Sequence, residues 1–454
     1  MGHMSVTLSF LGAARKVTGS QYLIETEGQK ILVDCGMSQD CRFYEGANIK
    51  PFVFEPSELD AVLITHAHMD HTGKLPKLVK EGYRGSIYST PPTKDFAEIL
   101  LRDAAELMLQ ESQDIGGKPL YFDADVTETI RQFKTVNYRE ETKLAPDISF
   151  RLLDAGHVLG SSIIELKIEG KTIVFSGDLG NPPTPLLKPT EAVEQADYVI
   201  IESTYGNKIH EVRDERNKKL ETIIEKVIAN KGVLMMPVFA FEKEQEILFE
   251  IDKFVEQKQI TPIPVFIDSP LAIHATKIYE RYPDYYNVEA KKLIASGDKL
   301  FSFPGMVMTP TVAESKQING VPPPKIIIAG SGMMIGGRIL HHAVRYLSDS
   351  NSVLLFMGYQ AAGSLGRRLF DGARSVRILG QSVRVNALVK GLGAYSSHAD
   401  QEGLVAWLDK IKNPPKNIFV THGEEAASLA LVSHIKEFLN LDAQAPFMDD
   451  KHEL

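Results

Sequence analysis

The spacing of apolar and polar positions divides the chain into three stretches. Between residues 5 and 208, short apolar or alternating runs such as 6–11 are separated by turn residues, which predicts strands. From about His210, apolar strands such as 233–238 alternate with helical patterns, which predicts a parallel α/β domain. After about Arg377, predicted strands and loops again carry polar side chains at their ends, as in the first stretch.

Five of the predicted strands lead into a side chain that can bind a metal or support a ligand. These side chains are Asp34, His66, His157, Asp178 and Glu202. Loops at strand ends converge at one edge of a sheet, and binding sites form there. The repetition of this arrangement indicates one shared site more strongly than any single residue does.

The densest group of such side chains lies in the segment DAVLITHAHMDHTG, residues 60–73, directly after the apolar run 61–64. Within six positions it contains His66, His68, Asp70 and His71. His66 and His68 are two residues apart, so in an extended segment they point to the same side. Imidazole nitrogens and a carboxylate that converge at a strand end suit zinc, whereas a turn that is polar by chance rarely holds so many of them.

Three later residues extend the set of candidate ligands to seven: His157, Asp178 and His422. One tetrahedral zinc takes three or four protein ligands, so seven indicate two ions that share a bridging carboxylate. Two such ions, about 3.5–4 Å apart, activate water and stabilise the charge that builds on the attacked centre. Because zinc does no redox chemistry, hydrolysis is the expected reaction, and a di-iron site with the same ligands stays open as the alternative.

Composition sets the limits on location and partners. A chain of 454 residues predicts two or three domains, and 43% hydrophobic with 24% charged residues is typical of a soluble globular protein. We expect no membrane span and no signal peptide. The two cysteines, Cys35 and Cys41, are too few for a disulfide scaffold, which favours the cytoplasm. The net charge of −9 weighs against a nucleic-acid partner, although a local basic groove is compatible with it.

Several motifs accompany HAHMDH in a fixed order along the chain: GAARKVTGS, SGDLGN, ESTYG, AGSGMMIGGR, SSHAD and THGE. With them, the chain from residue 5 to about 440 resembles the β-CASP branch of the metallo-β-lactamase superfamily. Within that branch it is similar to prokaryotic RNA-processing nucleases related to the cleavage-and-polyadenylation endonuclease. The resemblance implies an α/β fold, in which a metallo-β-lactamase αββα sandwich, residues 5–208 and 382–454, is interrupted by a parallel α/β (β-CASP) domain, residues 209–381.

The resemblance also implies a role for each site residue. One zinc ion would take His66, His68 and His157, the second would take Asp70, His71 and His422, and Asp178 would bridge them. Asp34 would support the metal-binding loop from behind. Glu202 and His398 would form a coupled pair beside the scissile phosphate. A histidine next to a carboxylate can hold a proton at neutral pH and give it to a leaving alkoxide, so we expect Asp178, Glu202 and His398 to be catalytic.

Substrate contacts are expected in the turn 330–337, between a predicted strand and a predicted helix. The turn lacks the third glycine of a dinucleotide fingerprint, and it either receives a phosphate on its backbone amides or is simply a tight turn. The candidate substrate-binding residues are Ser331, Gly332, Arg338 and Arg367. Each basic residue alone also fits a solvated surface charge, and grouping near a phosphate site favours backbone contacts.

The function expected from these features is that of a zinc-dependent ribonuclease that acts on single-stranded RNA in RNA processing or decay. Its products would carry a 5′-phosphate and a 3′-hydroxyl. The alternatives are a DNA nuclease of the same branch, a small ester or thioester hydrolase, and a non-enzymatic scaffold. His422 favours RNA, because DNA-processing members of the branch have valine at that position. The sequence does not decide whether the enzyme cleaves as an endonuclease or as an exonuclease. It also does not decide whether the protein is a homodimer or a monomer.

Overall fold

The computed structural model of the chain describes residues 5–39, 43, 46–115, 117–210, 213–239, 241–358, 360, 363–392 and 396–454. Cys41 and residues 393–395 of the GLGAYSSHAD loop lie outside these ranges. The chain forms two compact units. The first unit comprises Met1–Ile209 and His398–Leu454, and the second comprises His210–Ser397.

Strands are numbered in chain order. Strands β1 to β11 are Thr7–Gly12, Gln21–Glu25, Lys30–Val33, Ala61–Leu63, Ser86–Ser89, Phe133–Thr135, Thr142–Ala145, Ile148–Asp154, Ser162–Ile168, Lys171–Phe175 and Tyr198–Ile201. Strands β12 to β22 are Val233–Pro237, Val265–Ile267, Met306–Met308, Lys325–Ala329, Val353–Phe356, Ser375–Ile378, Gln381–Arg384, Leu388–Gly391, Asn417–Val420, Ala443–Gln444 and Lys451–Glu453.

The helices are numbered in the same way. Helices α1 to α7 are Met69–Thr72, Leu75–Lys80, Pro91–Ile115, Asp123–Gln132, Arg213–Asn230, Lys243–Glu256 and Pro270–Arg281. Helices α8 to α13 are Val288–Ala295, Val312–Gln317, Ile339–Tyr346, Leu365–Phe370, Gln401–Leu408 and Glu425–Leu439. None of these helices combines sufficient length with sufficient apolar character to span a lipid bilayer.

Two seven-stranded sheets form the first unit. One has the strand order β22-β1-β2-β3-β4-β5-β6, and the other has the order β21-β20-β11-β10-β9-β8-β7. A single apolar core joins side chains of both sheets, as in the contact between Phe10 of β1 and Phe419 of β20, whose ring centroids are 5.1 Å apart. Helices α12 and α13 pack on the outer face of the second sheet. The sheets are therefore layered face to face, as the sequence predicts.

The alternation along the strands explains this layering. In β8, Phe150 and Leu152 enter the core between the sheets, whereas Leu153 points to the layer beneath α12 and α13. In β11, Ile200 enters the core between the sheets, and Val199 points to the layer beneath α12 and α13. Since successive side chains of a strand point to opposite faces, a strand covered on both faces must be apolar almost throughout. This is why these strands appear in the sequence as short continuous apolar runs.

Parallel pairing places the polar strand ends on common edges. In the first sheet β3 and β4 are parallel neighbours, and Asp34 and the loop that begins at Thr65 follow them. In the second sheet β10, β11 and β20 are parallel neighbours in that order, and they lead into Asp178, Glu202 and His422. Carboxyl ends of parallel strands meet at one sheet edge, so side chains far apart in sequence are brought together there.

The second unit contains a six-stranded sheet with the order β14-β13-β15-β12-β16-β19, in which every neighbouring pair is parallel. A separate hairpin consists of β17 and β18. This is the parallel α/β domain that the sequence predicts. Strand β19 belongs to this sheet and follows residue 381, and the domain bounds of 209–381 stay a prediction.

At Gly36 the chain packs closely against the segment that contains Asp70, one of the candidate ligands. Its amide donates to the Ser20 carbonyl, and a Cβ atom added at residue 36 would lie far inside van der Waals contact with the Asp70 carbonyl oxygen. We expect Gly36→Ala to displace the 69–71 segment and to lower the free energy of unfolding by about 1–3 kcal/mol. Gly28→Ala is the matched control, because a Cβ atom there meets nothing within 4 Å. Equal denaturant midpoints for the two variants would contradict this prediction.

Candidate metal centre

The structure brings the seven predicted ligands together in two adjoining groups. One group contains His66, His68, His157 and Asp178, and the other contains Asp70, His71 and His422. In each group, one potential ligand atom from every member lies within 4.8 Å of the others. We refer to these seven residues as the metal centre. All of them belong to the first unit.

Asp178 lies between the two groups, directly after β10, and its side chain is 2% exposed. Its Oδ2 atom is 3.3 Å from Nε2 of His66 and 3.6 Å from Nε2 of His157. Its Oδ1 atom is 3.5 Å from Nε2 of His71 and 3.4 Å from Nε2 of His422. Each carboxylate oxygen therefore faces the nitrogens of one group, which is the arrangement that a bridging carboxylate requires.

These separations fit metal ions better than hydrogen bonds. Zinc–nitrogen bonds of about 2.0–2.1 Å in tetrahedral geometry place neighbouring ligand atoms roughly 3.3 Å apart. Asp178 Oδ1 and His71 Nε2 are buried, and neither has a hydrogen-bond partner among the described residues. Leaving buried polar atoms unpaired costs free energy, and a cation between the two atoms would remove this cost. The residues present thus fit a divalent metal site.

The pKa values of three ligand histidines and of Asp178 suit metal binding. Burial lowers the pKa of His68 and of His157 well below the usual histidine value, and neighbouring histidines lower it further. Burial similarly lowers the pKa of His422 to about 4, although nearby carboxylates oppose the change. For Asp178, burial raises the pKa, but the surrounding histidines, His422 first, outweigh it and hold the pKa well below its ordinary value. Neutral imidazoles and an ionised carboxylate are the forms that bind a metal. His71 differs: burial lowers its pKa, but the carboxylates of Asp178 and Asp34 outweigh burial and raise the pKa well above the usual histidine value.

Asp34 contacts the loop that carries four of the candidate ligands, at His71 and at Thr65. Its Oδ2 atom is 2.7 Å from Nδ1 of His71 and accepts a hydrogen bond of 2.8 Å from the Thr65 hydroxyl. Its Oδ1 atom accepts from the Thr65 amide at 2.9 Å. With a proton on Nδ1, His71 presents Nε2 to the metal centre, so a residue outside the ligand set determines which nitrogen of His71 is available.

Ser20 and Thr65 contact ligands of the site, and the sequence alone does not predict these contacts. The Ser20 hydroxyl is 2.9 Å from Nδ1 of His422, and the Ser20 amide donates to the Asp70 carbonyl at 2.8 Å. Ser20 therefore contacts two ligands of the same group. Thr65 has a local signal, since it directly precedes His66. Ser20 is the last residue of the motif GAARKVTGS, but nothing local relates it to His422, which is 402 residues away along the chain.

A carboxylate–histidine pair lies beside the metal centre. Nδ1 of His398 is 3.1 and 3.2 Å from the two carboxylate oxygens of Glu202, and 3.9 Å from Oδ2 of Asp178. The Leu179 amide donates to Glu202 Oε1 at 2.6 Å, and the Ala399 amide donates to the Leu179 carbonyl, so the pair is held by backbone on both sides. Burial would lower the pKa of His398, but the carboxylates of Glu202 and Asp178 raise it to about 9.

Comparison with known proteins decides the family. The family model of the metallo-β-lactamase superfamily matches residues 14–224, that of the Beta-Casp domain matches 244–369, and that of the Zn-dependent metallo-hydrolase RNA specificity domain matches 382–446. Ribonuclease TTHA0252 of Thermus thermophilus is 39% identical over 420 residues, which cover 92% of this chain and 94% of that protein. The chain belongs to the β-CASP branch of the metallo-β-lactamase superfamily. The family and the fold class that the sequence predicts are thereby confirmed.

Other β-CASP relatives match along most of their length. An RNase J-like protein of Methanocaldococcus jannaschii is 32% identical over 446 residues, 97% of this chain and 98% of that protein. The transcription termination factor FttA of Methanosarcina mazei is 30% identical over 456 residues, 97% of this chain and 70% of that protein. A solved structure of a protein of unknown function from Enterococcus faecalis V583 has a TM-score of 0.60 at 13% identity and covers 99% of this chain and 100% of that chain. That likeness concerns the fold alone.

The predicted substrate-binding residues of the β-CASP unit have partners within that unit. The Arg338 guanidinium donates to Asp268 Oδ1 and to the carbonyls of Thr309 and Pro310, at 2.6–2.8 Å. Arg367 pairs with Asp371 one helical turn later, at 2.9 Å. The other two candidates lie in the 330–337 turn: Ser331 and Gly332. The Ser331 hydroxyl accepts from the Ile335 amide at 3.1 Å. A substrate contact by these four residues stays a prediction.

Proposed function

We propose that this β-CASP protein is a ribonuclease that uses two zinc ions to hydrolyse phosphodiester bonds of single-stranded RNA. Its products carry a 5′-phosphate and a 3′-hydroxyl, and it acts in RNA processing or decay. The observation that carries the proposal is the position of Asp178, with one oxygen facing each ligand group and His398 beside it. The names of the relatives, a ribonuclease and an RNase J-like protein, support RNA as the substrate.

Each residue of the metal centre has one task in this proposal. His66, His68 and His157 would hold the first ion, Asp70, His71 and His422 would hold the second, and Asp178 would be a ligand of both. When bound, the two ions would supply an activated water and would stabilise negative charge on the phosphate. Asp34, through His71, and Ser20, through His422, keep the second group oriented.

His398 and Glu202 serve the departure of the leaving group. Water attacks the phosphorus atom and releases one proton to solvent, the bond from phosphorus to the 3′-oxygen breaks, and that oxygen takes a proton from the imidazolium of His398. The imidazole then regains a proton from solvent. Glu202 orients the imidazole through Nδ1 and stabilises its protonated form. In this scheme Glu202 is a positioning residue, since it acts on the substrate through His398.

Location in the cytoplasm is part of the proposal. It rests on the low cysteine content of the sequence, in which Cys35 is buried as a free thiol.

The substrate class is tested by incubating the zinc-loaded protein with 5′-labelled RNA, with DNA of the same sequence and with a generic thioester. We expect cleavage of RNA and no turnover of the other two over the same time. A parallel preparation of His68→Ala reports contaminating nucleases, because it carries the same purification history without a complete ligand group. Cleavage of DNA at the rate of RNA would favour the DNA nuclease, and turnover of the thioester alone would favour the small-molecule hydrolase.

A further inference from the structure

Three carboxylates meet in the second unit, within a part of the chain that the proposed reaction does not use. Asp252 and Glu256 are four residues apart on α6, and therefore lie on one face of that helix. Asp298 follows the C-terminus of α8. One carboxylate oxygen from each of the three lies within 4.8 Å of the others. We refer to these residues as the acidic triad.

The position of Asp298 is fixed by the way in which α8 ends. The Asp298 amide donates to the Leu293 carbonyl and the Gly297 amide donates to the Ile294 carbonyl, which are the two hydrogen bonds of a Schellman motif. Gly297 supplies the positive φ of 94° that this ending requires. The carboxylate of Asp298 is thus presented by rigid backbone and not by a freely moving loop.

Asp252 is the buried member of the triad and has no protein partner. The residue is 5% exposed, and among the described residues its carboxylate neither accepts a hydrogen bond nor forms an ion pair. Glu256 is exposed and Asp298 is half-buried, so the triad opens to solvent on one side. The carboxylate of Asp252 reaches solvent on the open side of the triad. A carboxylate without a partner is destabilised when two others of the same charge lie close to it.

The helices around the triad add to this cost. Glu256 is the last residue of α6, Asp252 lies one turn before it, and Asp298 lies just beyond the end of α8. The C-terminal end of a helix carries partial negative charge and disfavours acidic side chains. Burial and the charges of Glu256 and Asp298 raise the pKa of Asp252 to about 7. Burial, the neighbouring carboxylates and the helix ends all disfavour the ionised form of Asp252, and a bound cation would offset these effects.

We propose that the acidic triad binds a hard divalent cation, with Ca²⁺ as the best match, at a site separate from the metal centre. Calcium takes 6–8 oxygen ligands at about 2.3–2.6 Å, so two oxygens on one ion lie at most about 5 Å apart. The spacing of the triad satisfies that limit. The absence of histidine and cysteine from the triad disfavours zinc, and the solvent-facing side leaves room for water ligands. The cation ties the end of α6 to the end of α8.

Calorimetric titration of the full-length, zinc-loaded protein with CaCl₂ tests this site. Zinc keeps the metal centre filled, so added calcium reports on other sites. We expect one saturable site per chain with a dissociation constant of about 10⁻⁵–10⁻³ M. Asp252→Asn should weaken binding at least about tenfold, because it removes the buried charge. The matched control is Glu289→Gln, which removes an exposed charge from α8 and should leave the affinity unchanged.

Thermal unfolding gives a second readout that a merely structural role of Asp252 would not reproduce. Without calcium, Asp252→Asn should be at least as stable as the parent protein, because like charges are removed. With excess CaCl₂, the parent and the Glu289→Gln protein should melt at a higher temperature, and Asp252→Asn should not. If Asp252→Asn does not fold, Asp298→Asn replaces it, since Asp298 is only half-buried.

Two results would overturn the proposal: no saturable calcium binding by the parent protein, or equal calcium affinity in the parent and in Asp252→Asn. In either case Asp252 is simply kept neutral by a proton. Because the readout is calcium binding and not RNA cleavage, failure here is distinct from failure of the proposed ribonuclease activity. Titration with MgCl₂ in the same setting distinguishes the cations, and tighter magnesium binding would contradict the choice of calcium.

Discussion

Asp178→Ala is expected to abolish RNA cleavage and to weaken the binding of both metal ions. Asp178 is the residue whose two oxygens face the two ligand groups, at 3.3–3.6 Å from four histidine nitrogens. In the proposed site, its removal would take one ligand from each ion, and it would remove the central negative charge from a buried cluster of histidines. Loss of one preorganised electrostatic contact typically costs about 10²–10³-fold in rate, so we expect a decrease of more than about 10³-fold.

The measurement is zinc content after dialysis against a weak chelator, together with the cleavage rate of a labelled RNA. Asp178→Asn is the informative companion, because it keeps the shape and one oxygen but removes the charge. It should retain more zinc than Asp178→Ala and less than the parent protein. If Asp178→Ala keeps both zinc ions at unchanged affinity, Asp178 does not bridge them.

His398→Ala is expected to slow RNA cleavage without loss of metal binding. In the proposed site, the seven residues of the metal centre would already supply the ligands of both ions, whereas Nδ1 of His398 lies 3.1 Å from Glu202. The variant should retain two zinc ions and bind RNA nearly as well as the parent. Its cleavage rate should fall by about 10²–10⁴-fold, which is the usual contribution of a positioned general acid.

A substrate with a better leaving group tests the role of the proton. Such a group departs without protonation, so it should recover part of the rate that His398→Ala loses. Glu202→Gln should show a smaller loss with the same dependence on the leaving group, because it removes only the carboxylate that stabilises the imidazolium. Loss of a zinc ion from His398→Ala, or no recovery with the better leaving group, would show that His398 is not the general acid.

Local sequence patterns predict much of the fold and of the site, because the metal centre is built at strand ends. The apolar run 61–64 with four polar residues after it identifies the loop, and the strands before Asp178 and Glu202 identify the second edge. Parallel pairing of β3 with β4, and of β10 with β11, then brings these edges into register. Each step needs only the alternation of side chains and the pairing of neighbouring strands.

Local sequence patterns do not predict the contacts between segments that are far apart along the chain. Ser20 contacts His422 across 402 residues, and no local periodicity relates them. Arg338 donates to Asp268, which lies 70 residues earlier in the chain, and no local pattern relates the two. Asp298 joins Asp252 only because α8 ends in a Schellman motif beside the end of α6. Such contacts depend on how whole helices and strands pack together. Local sequence patterns predict each helix or strand by itself and not its packing partner.

The most direct test of a two-zinc ribonuclease is to titrate metal-free protein with zinc while measuring the cleavage of 5′-labelled RNA. If both ligand groups must be filled, activity should rise until about two equivalents of zinc per chain have been added and then stay constant. The RNA fragments formed at that plateau should carry 5′-phosphate and 3′-hydroxyl ends. Full activity at one equivalent, with no further zinc bound at saturation, would contradict the dinuclear centre and the bridging role of Asp178.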